Sequence, residues 1–141
     1  MKNRFAVLLT AVVVLFAFAG CSSSLPYSSL ISGLTGSIPG LSADQAIASA
    51  GSLLGLASAK MNPADFAKVA SALPGTSDLI SKAGDLTGLG KTFGSLGDVT
   101  SALGKMGVTP DQVAKVGAGV ADAAGKAGGD AVKNSLASVL K

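Results

Sequence analysis

Gln45-Ala46-Ile47-Ala48-Ser49-Ala50-Gly51-Ser52-Leu53-Leu54-Gly55-Leu56-Ala57-Ser58-Ala59 carries no charge and puts apolar or small side chains on nearly every side. A helix that is apolar all round has no face for water and is buried. The run is too short to cross a hydrocarbon core of about 30 Å, which asks for about 20 residues. It therefore reads as the central helix of an all-α domain, with other helices packed around it. Gly51 and Gly55, four apart, offer a neighbouring backbone a close approach. As a membrane dimer motif the pair lacks the apolar stretch of about 20 residues in which GxxxG brings helices together.

On both sides of this run one short grammar recurs: a polar cap, an acid or amide within the next three residues, then apolar side chains at helical spacing. Ser42 with Gln45 is a capping box, in which each side chain satisfies an otherwise orphaned backbone donor. Asn62-Pro63 with Asp65, Ser95 with Asp98, and Thr109-Pro110 with Asp111 and Gln112 repeat it. Pro63 and Pro110 fall at the first helical position, where a missing amide hydrogen costs nothing. After the caps, Phe66, Val69, Ala70 and Leu73, then Val99, Ala102, Leu103 and Met106, then Val113, Val116, Gly117 and Val120 each trace one helical face. Phe66 is the largest side chain at a core position so placed.

Leu79, Ile80, Ala83 and Leu86 predict a short helix after Thr76, and Val132, Ser135, Leu136 and Val139 a terminal one. Pro74-Gly75, Gly107 and the glycines of 125–129 are stops. Opposite the valines of the third set stand Asp111, Lys115, Asp122 and Lys126, two i, i+4 pairs in the favourable order, worth a few tenths of a kcal/mol each. No window alternates with period two, so no strand is predicted. The expectation is about five to six short amphipathic helices around the central one, over residues 40–141.

The N-terminus reads differently. Lys2 and Arg4 form a basic region, Phe5 to Phe18 is uncharged and apolar, and Phe18-Ala19-Gly20 places small residues before a lone cysteine, Cys21. This layout resembles the lipobox of a bacterial lipoprotein, with Phe18 where Leu is usual. The resemblance implies a signal peptide at residues 1–20 and a mature chain starting at Cys21, its thiol carrying diacylglycerol and its amine a further acyl chain such as palmitate. Two or more chains, at about 0.8 kcal/mol per buried methylene, make a stable anchor. Ser22, where Gram-negative sorting would use Asp to retain a lipoprotein in the inner membrane, points to the outer membrane. Residues 21–39 are rich in Ser and Gly with two prolines, and read as a flexible tether.

Removal of residues 1–20 takes Lys2 and Arg4 away, so eleven basic residues become nine against eight acidic ones. No basic patch remains to suggest nucleic acid as a partner. With Cys21 the single cysteine there is no disulfide framework, and the domain is held by packing alone. The chain has no His and no Trp, and all eight acids are Asp. The commonest general base and metal ligand is thus missing, and so is any free thiol nucleophile. Most Asp residues sit in predicted first turns, where an anion favours the helix dipole. No catalytic, cofactor-binding or metal-binding residue is nominated.

Gly84-Asp85-Leu86-Thr87-Gly88-Leu89-Gly90-Lys91-Thr92 looks like a phosphate-binding loop but is out of register, with Asp85 where the first glycine belongs. No apolar strand precedes it, and a Gly-rich hinge between helices is the better reading. Ser138-Val139-Leu140-Lys141 mimics a Ser-x-x-Lys pair without any companion motif.

Gly40-Leu41-Ser42-Ala43-Asp44-Gln45-Ala46, Gly51-Ser52-Leu53-Leu54-Gly55-Leu56-Ala57, Asp65-Phe66-Ala67-Lys68-Val69, Ala72-Leu73-Pro74-Gly75, and the later Leu103 to Gln112 form an ordered set. That set resembles the bacterial family of unknown function named for VcgC and VcgE, with a kinship to YidB-like helical proteins. The resemblance implies a small all-helical envelope domain and supplies no catalytic residue or ligand. The functional expectation is a non-enzymatic envelope lipoprotein, facing the periplasm from the outer membrane. It would be held by acyl chains on Cys21 and would bind another envelope protein or itself. The alternative is a membrane-active or lipid-binding amphipathic helical protein.

Overall fold

The computed structural model describes residues 27–90 and 93–140. Among them the backbone forms seven helices and no strand: α1 Ser28–Ser37, α2 Ala43–Lys60, α3 Pro63–Ala72, α4 Thr76–Thr87, α5 Leu96–Lys105, α6 Pro110–Gly128 and α7 Asp130–Val139. The signal peptide expected at 1–20 and the acylation expected at Cys21 lie outside the described residues.

α2 is the centre, touching each of the other six helices and α4 most extensively. Ala48 to Ala57 is buried without interruption, as an uncharged helix with small residues on all sides requires. Leu53, Leu54 and Leu56 are out of contact with water, each worth about 1.5–3 kcal/mol relative to exposure. The two glycines make the close packing possible. A Cβ on Gly51 would run into the Leu79 carbonyl and the Ala83 methyl of α4, and one on Gly55 would run into the Phe93 ring.

The starts of α2 and α6 are built alike and are joined to each other. Gly40-Leu41-Ser42-Ala43-Asp44-Gln45 and Gly107-Val108-Thr109-Pro110-Asp111-Gln112 share one pattern. Both glycines have positive φ, +77° and +83°, and both following apolar residues are buried. Both caps are complete boxes. Ser42 N–H donates to Gln45 Oε1 at 2.9 Å and Gln45 N–H to Ser42 Oγ at 3.2 Å; Thr109 and Gln112 do the same at 3.0 and 3.3 Å. The spare amide hydrogens then cross over. Gln45 Nε2 donates to the Met106 carbonyl at 2.9 Å, and Gln112 Nε2 to the Pro39 carbonyl at 3.2 Å. Each glutamine thus satisfies the loop that leads into the other's helix.

Several expectations need correction. The stretch 21–39 is not a tether throughout, because Ser28–Ser37 is helical and Tyr27, Ile31, Leu34 and Ile38 are buried in the core. Those four recur at spacings of four, three and four, one face of a helix, and their burial outweighs the poor helix propensity of the intervening Ser and Gly. This is the seventh helix. Asn62 makes no side-chain cap; its carbonyl alone accepts, from the Asp65 and Phe66 amides. Phe66 is only half-buried against the core, and the buried aromatic rings are Tyr27 and Phe93, the latter seated over Gly55. Leu86, placed on an inner face by its spacing, is 41% exposed. The stretch read as a Gly-rich hinge begins inside α4, where Gly84 to Thr87 are helical, and Gly90 N–H donates to the Gly84 carbonyl at 3.2 Å.

Candidate functional site

The charged groups meet differently from their sequence spacing. Neither Asp111 with Lys115 nor Asp122 with Lys126 forms an ion pair among the described residues. Gly129 turns the chain between α6 and α7 with φ +88°, and this brings Lys133 against Asp122 at 2.5 Å. The hydrogen bond from Lys133 holds the Asp122 carboxyl below its ordinary range; the Lys133 charge adds to this and Lys126 contributes a little more. The same bond raises Lys133 above the usual lysine value. Both groups are exposed, so this pair is a surface clasp between helices rather than a reactive centre.

Among the described residues no three His, Cys, Asp or Glu side chains gather as a metal site would require. Asp44, Asp65, Asp78, Asp98, Asp111 and Asp130 each stand in the first turn of a helix, where their charge complements the backbone dipole. Ser138 Oγ donates to the Asn134 carbonyl, an ordinary helix-internal bond. The candidate sites are therefore concave surfaces, and two stand out.

The first cleft, of about 390 Å³, lies where α5, α6 and α7 meet over Leu53 of α2. Leu96, Val113, Gly117, Ala121 and Leu140 give it an uncharged wall. Thr100 carries its only side-chain hydroxyl, and that donates to the Leu96 carbonyl at 2.8 Å. The floor shape depends on Gly117, whose missing side chain leaves Leu53 and Leu140 as the nearest groups. Such a surface offers apolar contact and no directional polar group.

The second cleft, of about 440 Å³, opens between α1, the α3–α4 turn and α6. Leu30, Leu73, Pro74 and Leu79 supply its apolar wall, and Tyr27, Ser29, Thr76 and Lys126 its polar groups. Thr76 Oγ donates to the Leu73 carbonyl. The Tyr27 hydroxyl is shielded from water and has no hydrogen-bond partner among the described residues. Sequence reasoning missed this cleft because it took residue 27 for tether; the spacing of Tyr27, Ile31, Leu34 and Ile38 was the signal that could have found it. Ser49 and Ser52 of α2 are also buried without a partner, but neither lines this cleft.

The family described as a protein of unknown function, VcgC/VcgE, matches residues 19–141. The chain belongs to this family. The VcgC/VcgE match takes in all seven helices and both clefts, and it attaches no activity to them. Neither a curated protein nor a solved structure matches the chain. No helix among the described residues is long and apolar enough to cross a membrane.

Proposed function

We propose that this VcgC/VcgE family member is a non-enzymatic envelope lipoprotein, anchored through acyl chains on Cys21 in the outer membrane and facing the periplasm. Its helical domain binds another envelope protein or a second copy of itself. The observation that carries the interaction role is the uncharged cleft over Leu53, because its rim leaves Ala114 and Ala118 exposed and Leu96, Ala137 and Leu140 partly exposed without free polar groups, and such a concave surface gains by covering with another apolar surface. The anchor rests on the basic start, the apolar run and the small residues before Cys21. The residue inventory supports the non-enzymatic reading, since no His, free thiol or paired carboxylate is at hand to move a proton or attack a substrate.

The anchor is tested by fractionating cells that make Cys21→Ser, which should leave the outer-membrane fraction; full retention there would overturn it. The interaction role is tested by crosslinking in cells and pull-down of the intact protein. Ala118 is exposed and lines the cleft, so Ala118→Phe should fill it without touching the core and should remove a crosslinked partner. A crosslinking pattern unchanged by that substitution would take the cleft out of the interaction.

A further inference from the structure

The cleft beside α1 differs from the first in its polar groups, and they are all of one kind. Tyr27, Ser29 and Lys126 can each donate a hydrogen bond, the Thr76 hydroxyl being already committed to the Leu73 carbonyl, and no carboxylate lines the wall. Lys126 makes no ion pair with another described residue, because Lys133 takes the carboxylate of Asp122. Leu30, Leu73 and Leu79 complete an apolar trough in the size range of small-molecule sites, about 300–1,000 Å³. The Tyr27 hydroxyl carries the cost of a buried donor without a partner, a cost that a ligand acceptor would relieve.

From this arrangement we propose that the cleft between α1, the α3–α4 turn and α6 binds a single-chain anionic amphiphile, a fatty carboxylate. Its chain lies along Leu30, Leu73 and Leu79, and its head meets Lys126 and the Tyr27 hydroxyl. Because that hydroxyl is closed off from water, the ligand has to turn the Tyr27 ring before it can take the hydrogen bond. An uncharged lipid such as an alcohol would gain the wall but not the charge attraction of Lys126. A cationic amphiphile would meet Lys126 with the wrong sign. The location adds a source: Cys21 precedes Tyr27 by so few residues that, at about 3.5 Å per residue, an acylated Cys21 would keep the cleft within about 20 Å of the bilayer. That last point rests on the anchor reading; the binding chemistry does not.

The test uses the full chain in phosphatidylcholine nanodiscs, labelled by a photoreactive palmitate and competed with unlabelled palmitate or hexadecanol. Labelled peptides should cluster at residues 27–30, 72–79 and 123–126. Lys126→Gln should raise the palmitate needed for competition about fivefold, the scale of one exposed charge contact, and leave the hexadecanol curve in place. Tyr27→Phe should also raise the palmitate needed, while the helical signal by circular dichroism is retained, since it removes an unpartnered hydroxyl. Ala123→Leu, which narrows the trough, should weaken both ligands. Labelling spread evenly over the chain, or a Lys126→Gln that shifts neither ligand or both equally, would overturn the proposal. Cys21→Ser should label as wild type does, so failure of the anchor would appear in fractionation and not here.

Discussion

α2 and α6 are the two long helices, of 18 and 19 residues, and each begins with a Ser or Thr cap answered by a glutamine three residues on. Their surroundings diverge from there. α2 has no charged residue between its first turn and Lys60 and is buried all round, whereas α6 hides Val113, Val116, Val120 and Ala124 and turns Lys115, Asp122 and Lys126 to water. Each also carries glycines, and Gly51 and Gly55 of α2 differ in role from Gly117 of α6. In α2 they are contact surfaces, because the α4 backbone and the Phe93 ring occupy the space a side chain would need. In α6, Gly117 faces the apolar cleft, and the nearest groups to an added Cβ, on Leu53 and Leu140, stand at 3.7 and 3.8 Å. Gly51 and Gly55 are packing requirements, as Gly119 is against Leu34, whereas Gly117 has room for a methyl group.

The sharpest break in this comparison comes from Leu54→Ala in α2, expected to cost about 2–5 kcal/mol, read from urea midpoints at a common slope, because Leu54 is fully buried. A smaller value than that of Phe66→Ala would mean that α2 is not the centre. Next is the glycine pair. Gly51→Ala should destabilise by about 1–3 kcal/mol, since the added methyl meets a backbone carbonyl that cannot move aside. Gly117→Ala should instead stabilise by about 0.5–1 kcal/mol, because an ordinary contact distance leaves the helix-propensity gain intact. Equal signs for the two would erase the distinction.

Thr109→Ala should cost about 1 kcal/mol through its lost cap, and Ser42→Ala about the same, whatever the surroundings of the helix that follows. Lys115→Ala should leave the thermal midpoint where it is, because Lys115 has no ion-pair partner among the described residues. A small effect is also expected in the pH dependence of the Asp122–Lys133 pair. Lowering of the Asp122 pKa gives a contribution present above its unfolded value of about 3.8 and lost as pH falls through the folded value. The raised Lys133 pKa gives one present below about 10.5 and lost as pH rises through its folded value. The midpoint difference between wild type and Asp122→Asn should therefore be greatest between those limits and fade toward acid; a difference that grows in acid contradicts the pairing.

Much of the fold could be read from local chemistry because a cap and its helix lie within four residues. Ser42, Ser95 and Thr109 each accept a hydrogen bond from the amide three residues ahead, and no distant contact is needed to make that favourable. What could not be read was decided by partners far along the chain. α1 looks like a linker until α2 and α6 bury Tyr27, Ile31 and Leu34; Leu86 and Phe66 have inward spacing, yet no neighbour covers them fully. Lys126 seemed the partner of Asp122 by spacing, but the turn at Gly129 delivers Lys133 instead. The fatty-carboxylate cleft combines all three failures, since it needs α1 in place, an uncovered wall and a lysine without its carboxylate.

The crossed glutamines that tie the start of α2 to the start of α6 have a consequence for breathing of the native chain. Their bonds join residues 61 and 73 apart, so neither loop can open alone without stranding the carbonyl that the other glutamine serves. The segments around Pro39 and Met106, remote in sequence, should exchange their amide hydrogens as one cooperative unit, with a shared opening free energy. Replacing Gln45 with Ala should then speed exchange near residue 41 as well as near residue 108. If only the nearer loop responds, the two helix starts are neighbours rather than a single hinge.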